Sequence, residues 1–176
     1  MIAVFPDNTV FCNFAAVNRV DLLRDFLRGR GRWTAAVAHE VEGSTRYLPG
    51  LSAVDESWLG EPIDFTSKND ARRIERLRIV VFGGSQTDPL KHLGEAQTCF
   101  LFETHSELHG SWWISDDTDA REQAERRGAR SMTTVGLARE MVADYTLTAV
   151  AALELLRAMA DAGRPVWPPS SAADLQ

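Results

Sequence analysis

Short apolar runs, each too brief to be a helix, alternate along this chain with stretches of helical periodicity, and that alternation constrains the fold more than any other feature. Ile2–Phe5 is followed by Val10, Phe11, Phe14 and Ala15 at helical spacing, Ser111–Ser115 by the amphipathic segment from Asp117 to Arg127, and Ala129–Thr133 by a helix-like stretch from Thr134 to Ala143. A buried strand joined through a helix to the next strand re-enters its sheet in the same direction. The pattern therefore predicts an α/β fold, a parallel sheet between two helical layers. No internal repeat or low-complexity block interrupts it.

Between the first and second strand-like runs the signals are mostly helical. Leu22, Leu23, Phe26 and Leu27 repeat at helical spacing until Gly29 and Gly31, and Trp33 marks a further, very short strand. Thr34 is placed to cap a helix through Val41 that Gly43 closes. Residues 44–65 carry little periodicity, Lys68 to Phe82 reads as a helix stopped by Gly83-Gly84, and a helix from Leu90 to Leu101 holds Gly94-Glu95 in its middle. A glycine inside a helix costs about 1 kcal/mol relative to alanine, so close packing or ligand approach is expected there. The last helix runs from about Thr146 to Ala162, and the prolines after Gly163 predict an extended, mobile tail over residues 164–176 behind a single domain of residues 1–163.

Composition narrows the function classes. With 44% hydrophobic and 25% charged residues over 176 positions, the chain can bury a core without disulfides or metal staples. No apolar run approaches bilayer length, and Met1–Phe5 lacks a basic segment and meets Pro6-Asp7 too early for a secretory leader, so a cytoplasmic protein without a membrane partner is expected. Cys12 and Cys99 lie in apolar helical patterns with no zinc-ligand spacing and read as buried reduced thiols. The formal charge of −6 weighs against a general affinity for nucleic acid. Two arginine-rich stretches, residues 19–32 and 68–78, could line a phosphate track or could equally be solvated helix faces.

Four acids widely separated in sequence, Asp7, Glu40, Glu95 and Asp117, each fall at or near a joint between an apolar run and a helix. In a parallel α/β sheet ligands bind beyond the carboxyl ends of the strands, where Asp7 and Asp117 would be neighbours. Carboxylates held that close repel, and a divalent cation is the usual remedy. Asp116 and Asp119 offer two more carboxylates at the same junction. By strand alternation Asp117 points with Ser115 and away from Asp116, leaving Asp116 to cap the helix. Thr9 and Ser115 are placed to orient the carboxylates by hydrogen bonds.

These residues carry a resemblance. Asp7-Asn8-Thr9 after a first strand, Val37-Ala38-His39-Glu40-Val41 on a helix, Gly94-Glu95-Ala96, and Ser115-Asp116-Asp117 after a late strand, followed by Asp119-Ala120-Arg121, Gly128 and Thr134-Val135-Gly136-Leu137, resemble the PIN domain family, the nuclease fold of VapC-type toxins. The resemblance runs from Ile2 to about Ala143 and is poor over residues 49–88. It implies a three-layer α/β/α fold with four to five parallel strands. It also implies an Mg²⁺- or Mn²⁺-dependent endoribonuclease with Asp7, Glu40, Glu95 and Asp117 as catalytic acids. Asp7 and Asp117, then Glu95, would be the direct ligands, and Glu40 would bind through water or act as a base. An RNA substrate, a cognate antitoxin protein and a homodimer, with apolar patches on residues 22–27 or 74–81, are the implied partners. Capping alone explains any one of the aspartates, but four joints in the family's order favour the metal site.

Two alternatives are weaker. A phosphatase or receiver-like phosphoacceptor also sets aspartates at strand ends, yet no Asp-x-Asp-x-Thr/Val follows the first strand and no lysine follows a late strand in the receiver manner. A non-catalytic PIN-like binding module would not need the acidic quartet. His39, His92, His105 and His109 lack paired spacing and read as structural or exposed. The five tryptophans read as core or interface, with Trp58 the one placed for a substrate contact.

Overall fold

The computed structural model describes residues 2–176; Met1, counted above with the first strand and domain, lies outside them. Three short strands, β1 (Val4–Pro6), β2 (Trp112–Ile114) and β3 (Arg130–Met132), form one parallel sheet in that order. Val4 pairs with Trp112, and Trp112 with Arg130. Alternation sorts the side chains. Val4 and Ile114 enter one apolar cluster, with helices α1 (Asn8–Ala16), α2 (Val20–Leu27), α3 (Ala35–Ser44) and the short α4 (Glu56–Leu59). Phe5 and Trp113 point the other way. There they meet α6 (Leu93–Thr104), which follows α5 (Lys68–Val80), and then α7 (Thr118–Glu125). The first cluster is completed by α8 (Thr134–Ala143) and α9 (Ala149–Asp161). Helices on both faces of a parallel sheet give the α/β arrangement expected from the alternation.

The sheet has three strands where four to five are expected. The place beside β1 is taken by residues 30–32: Val4 N–H donates to the Arg30 carbonyl at 3.0 Å and Arg32 N–H to the Val4 carbonyl at 2.9 Å, a single parallel bridge. Gly31 is needed at this crossing, because a Cβ there would meet Leu59 Cδ2 at 2.6 Å. Trp33 joins the core instead, its ring at 60° to Phe11, and Trp58 packs on the same phenylalanine from 6.1 Å. Trp58 is therefore core.

The segment between α5 and α6 is built around Arg78, whose side chain is wholly buried. Its guanidinium is held by both Glu75 carboxylate oxygens at 2.8 Å and donates to the carbonyls of Ser85, Asp88 and Lys91 at 2.9, 3.0 and 3.2 Å. Backbone carbonyls that would otherwise be orphaned in a tight turn are satisfied by one planar fork. This turn delays α6 until Leu93, so Gly94 and Glu95 lie in its first turn, not mid-helix as the periodicity from Leu90 suggests.

The other expectations resolve simply. Leu22, Leu23, Phe26 and Leu27 are core, whereas Val80 and Val81 are exposed. Arg19 and Arg24 sit in solvent beside Asp21 and Asp25, as solvated helix faces do. Cys12 and Cys99 are free and buried, and burial pushes both thiols up, that of Cys99 to about 12. Where the sequence reads as an extended tail, Val166 and Leu175 are buried in the main cluster. Arg139 and Arg157 donate to the carbonyls of Asp174 and Ser170. Among the described residues no helix is long and apolar enough to cross a membrane.

Candidate functional site

Asp7 stands one residue beyond β1, and its N–H donates to the Ile114 carbonyl at 2.9 Å, pinning the end of one strand to the end of its neighbour. Its side chain is the N-cap of α1. Oδ1 accepts from Asn8 N–H at 2.8 Å, while Oδ2 accepts from Ser115 Oγ at 3.4 Å, and the nearby Thr9 hydroxyl favours the charged carboxylate. Capping and site membership are thus compatible, since one carboxylate has lone pairs for both. The Ser115 hydroxyl thus ties the end of β2 to the Asp7 carboxylate.

Glu40 comes from α3 and Glu95 from the first turn of α6. The Glu40 carboxylate lies against Gly94, where a Cβ would sit 2.9 Å from Oε1 and 3.2 Å from Oε2, and the Gly94 backbone favours its charged form. Here the close approach anticipated for that glycine is made by a carboxylate of the chain itself. Glu95 Oε1 lies 3.0 Å from His92 Nδ1, and His92 begins α6 with a left-handed φ of 63°. A non-glycine residue in that region is strained, and the ring it presents to Glu95 makes His92 part of the site.

The three acids act on one another. Burial, then the Glu95 charge, raises Asp7 to about 7; burial, then the charges of Asp7 and Glu95, raises Glu40 to about 8. At neutral pH this cluster holds protons that exposed carboxylates would have lost. Asp7, Glu40 and Glu95 are therefore brought together across β1, α3 and α6.

The fourth position differs from the expectation. Asp117 is exposed and caps α7, its Oδ1 accepting from Ala120 N–H at 2.9 Å, and its charge is not among those acting on Asp7 or Glu40. Capping thus belongs to Asp117 and not to Asp116. Asp116 turns toward α8, accepting from Thr134 N–H at 2.8 Å, Thr134 Oγ1 at 2.7 Å and Asn13 Nδ2 at 2.9 Å. Asn13 Oδ1 in turn accepts from Arg164 Nε at 2.9 Å, so the segment after α9 is tied to this side of the site. Asp119 is exposed in the first turn of α7. Ser115 links the two halves: its hydroxyl donates to Asp7 and accepts from Asp117 N–H at 3.2 Å.

Asn13, Thr134, Arg164 and His92 complete the surroundings without having been singled out as site residues. Thr134 belongs to the stretch that carries the family resemblance, and Asn13 shows in the sequence as a polar residue at helical spacing among Val10, Phe14 and Val17. A cavity of about 260 Å³ opens beside Glu40 and Gln97, and another of about 300 Å³ beside Asp116. The largest groove, about 810 Å³ between α3 and α4, is lined by none of the three acids.

The donor set is all oxygen, with one carboxyl buried and two half-buried, which is the ligand type a hard dication takes. Among the described residues no group of three or more His, Cys, Asp or Glu side chains is disposed to hold a metal ion. Compared with protein-family models, with curated proteins and with solved structures, the chain matches none.

Proposed function

We propose that this chain is an Mg²⁺- or Mn²⁺-dependent endoribonuclease of the PIN kind. The observation that carries the reading is that Asp7, buried just beyond the carboxyl end of β1, is close enough to the half-buried Glu40 and Glu95 for their charges to act on one another. Buried like charges cost stability, and a site that keeps them needs a reason such as a cation. Residues 30–32, hydrogen-bonded along Val4, stand where a four-stranded PIN-like sheet would have its next strand.

Asp7 and Glu95 would hold the ion, with Glu40 gripping its water shell and Asp117 close enough in sequence to Ser115 to join from the rim. When bound, the ion supplies charge neutralisation at the scissile phosphate and a more acidic water. The chain's own residues then divide the work. Ser115 holds the Asp7 carboxylate by a hydrogen bond, and that of Glu40 is seated against the bare backbone of Gly94. Glu40, once the ion had displaced its proton, would be placed to take one from the attacking water as that water adds to phosphorus and an ester oxygen leaves. His92 holds Glu95 from the far side. A toxin role with an antitoxin partner belongs to this reading, and a small DNA-binding protein encoded just upstream would favour it.

Single-stranded RNA should be cut in Mg²⁺ or Mn²⁺, spared in EDTA and cut again when the ion is restored. Cleavage that persists in EDTA would eliminate the mechanism, and turnover of simple phosphoesters without RNA cleavage would favour a phosphatase.

A further inference from the structure

Four of the five tryptophans are explained by the fold, and the fifth is not. Trp33, Trp58 and Trp113 are buried and Trp112 is half-buried under Arg130, but Trp167 is 76% exposed. It is not on a loose end. Val166 immediately before it is buried in the main cluster, its N–H donating to the Arg164 carbonyl at 2.8 Å, and Arg164 is bonded to Asn13. Pro168 and Pro169 stiffen the other side. The indole is thus held out at little entropic cost, the condition under which an exposed aromatic binds well.

Its surroundings say what it binds. Trp167 lines the 300 Å³ cavity together with Asp116, Thr118, Arg121, Thr133 and Val135. Arg121 is pre-oriented there, donating through Nη1 to the Ser115 carbonyl at 2.9 Å and through Nη2 to Thr118 Oγ1 at 3.1 Å. Two of its five donors are used, and the guanidinium keeps others for a phosphate. None of the other large exposed hydrophobic residues among those described lines this cavity. A protein interface would ask for a contiguous apolar patch, whereas one flat aromatic face beside an arginine suits a base and its phosphate.

Resting on the ribonuclease reading, we propose that Trp167 is a base-stacking platform for a single-stranded RNA substrate, with Arg121 beside it receiving the adjoining backbone phosphate. Asp116 lines the same cavity and follows Ser115, which bonds Asp7, so a nucleotide stacked on Trp167 lies next to the carboxylate cluster. Trp167 binds and positions; it does not touch the reacting atoms.

The test uses the full chain and a mixed-sequence single-stranded RNA. Stacking contributes about 1–3 kcal/mol per base, so Trp167→Ala should raise KM roughly tenfold while kcat stays within about twofold, and Trp167→Phe should recover most of the loss. Intrinsic tryptophan fluorescence should be quenched by RNA in the wild type and much less in Trp167→Ala. Wild-type cleavage with an unaltered KM and quench in Trp167→Ala would overturn this inference alone. The same result with loss of a sedimenting dimer would also overturn it and assign the indole to a protein interface. Trp167-dependent quenching without cleavage would uphold the platform and sink the ribonuclease reading; absence of any RNA binding by the wild type would overturn both.

Discussion

Replacing Asp7 with asparagine is expected to make the metal-free protein more stable at pH 8.5 while abolishing its response to divalent cations. Asparagine caps a helix as well as aspartate does, so the bond to Asn8 N–H is kept. What disappears is a negative charge buried with Glu95 and Glu40. Raising a carboxyl from 3.8 to about 7 corresponds to about 4 kcal/mol of disadvantage for the ionised form. An amide does not match every partner of a carboxylate and returns part of that gain. A net increase of about 1–3 kcal/mol is expected, or roughly 3–10 °C in Tm for a domain of this size. Calorimetric scans in EDTA check it. Wild-type protein should gain Tm on adding Mn²⁺, and Asp7→Asn should not. A lower Tm for Asp7→Asn in EDTA would mean that Asp7 is an ordinary cap with no charge burden.

The second large effect is an inverted dependence of stability on pH. Both Asp7 and Glu40 bind protons more tightly in the folded chain than in the unfolded one, about 7 against 3.8 and about 8 against 4.5. Between those values the folded state carries more protons, so stability falls as pH rises. The contribution is complete below about pH 4, where both states are protonated, and is lost as pH climbs through about 7 to 8. Metal-free protein should therefore melt several degrees lower at pH 8.5 than at pH 5.5, and the double substitution Asp7→Asn with Glu40→Gln should remove most of that slope. Salt-bridged carboxylates, with depressed values, give the opposite trend. A metal-free Tm that climbs steadily from pH 5.5 to 8.5 would show that these carboxyls are not crowded.

How much of this could be read from the residues follows from where local rules hold. The order of strands and helices was legible because each element has its own period, and the caps Asp7, Thr34 and Thr133 sit where their helices begin. The gathering of Asp7, Glu40 and Glu95 was legible as acids at joints. The cap expected of Asp116 falls to Asp117 because side-chain alternation does not continue past the strand: β2 ends at Ile114, and beyond Ser115 the chain is a helix entry, not a pleat. Glu95 was set too deep in its helix because Leu90 fits the apolar period, while the turn that excludes it is made by a buried Arg78 in an otherwise polar helix. Nothing local marks that arginine as buried. Val166 and Leu175 are single apolar residues without a period, so the docking of the C-terminal segment had no signature.

A dication held by Asp7, Glu40 and Glu95, as proposed, must displace the protons that Asp7 and Glu40 keep near neutral pH. Titration calorimetry of Mn²⁺ into the metal-free protein at pH 7.5, repeated in two buffers of different ionisation enthalpy, tests this most directly. Because ligands must be deprotonated to bind, the account predicts one site with release of about one proton per ion, both lost in Asp7→Asn. Binding that is unchanged in Asp7→Asn, or that releases no proton, would contradict it.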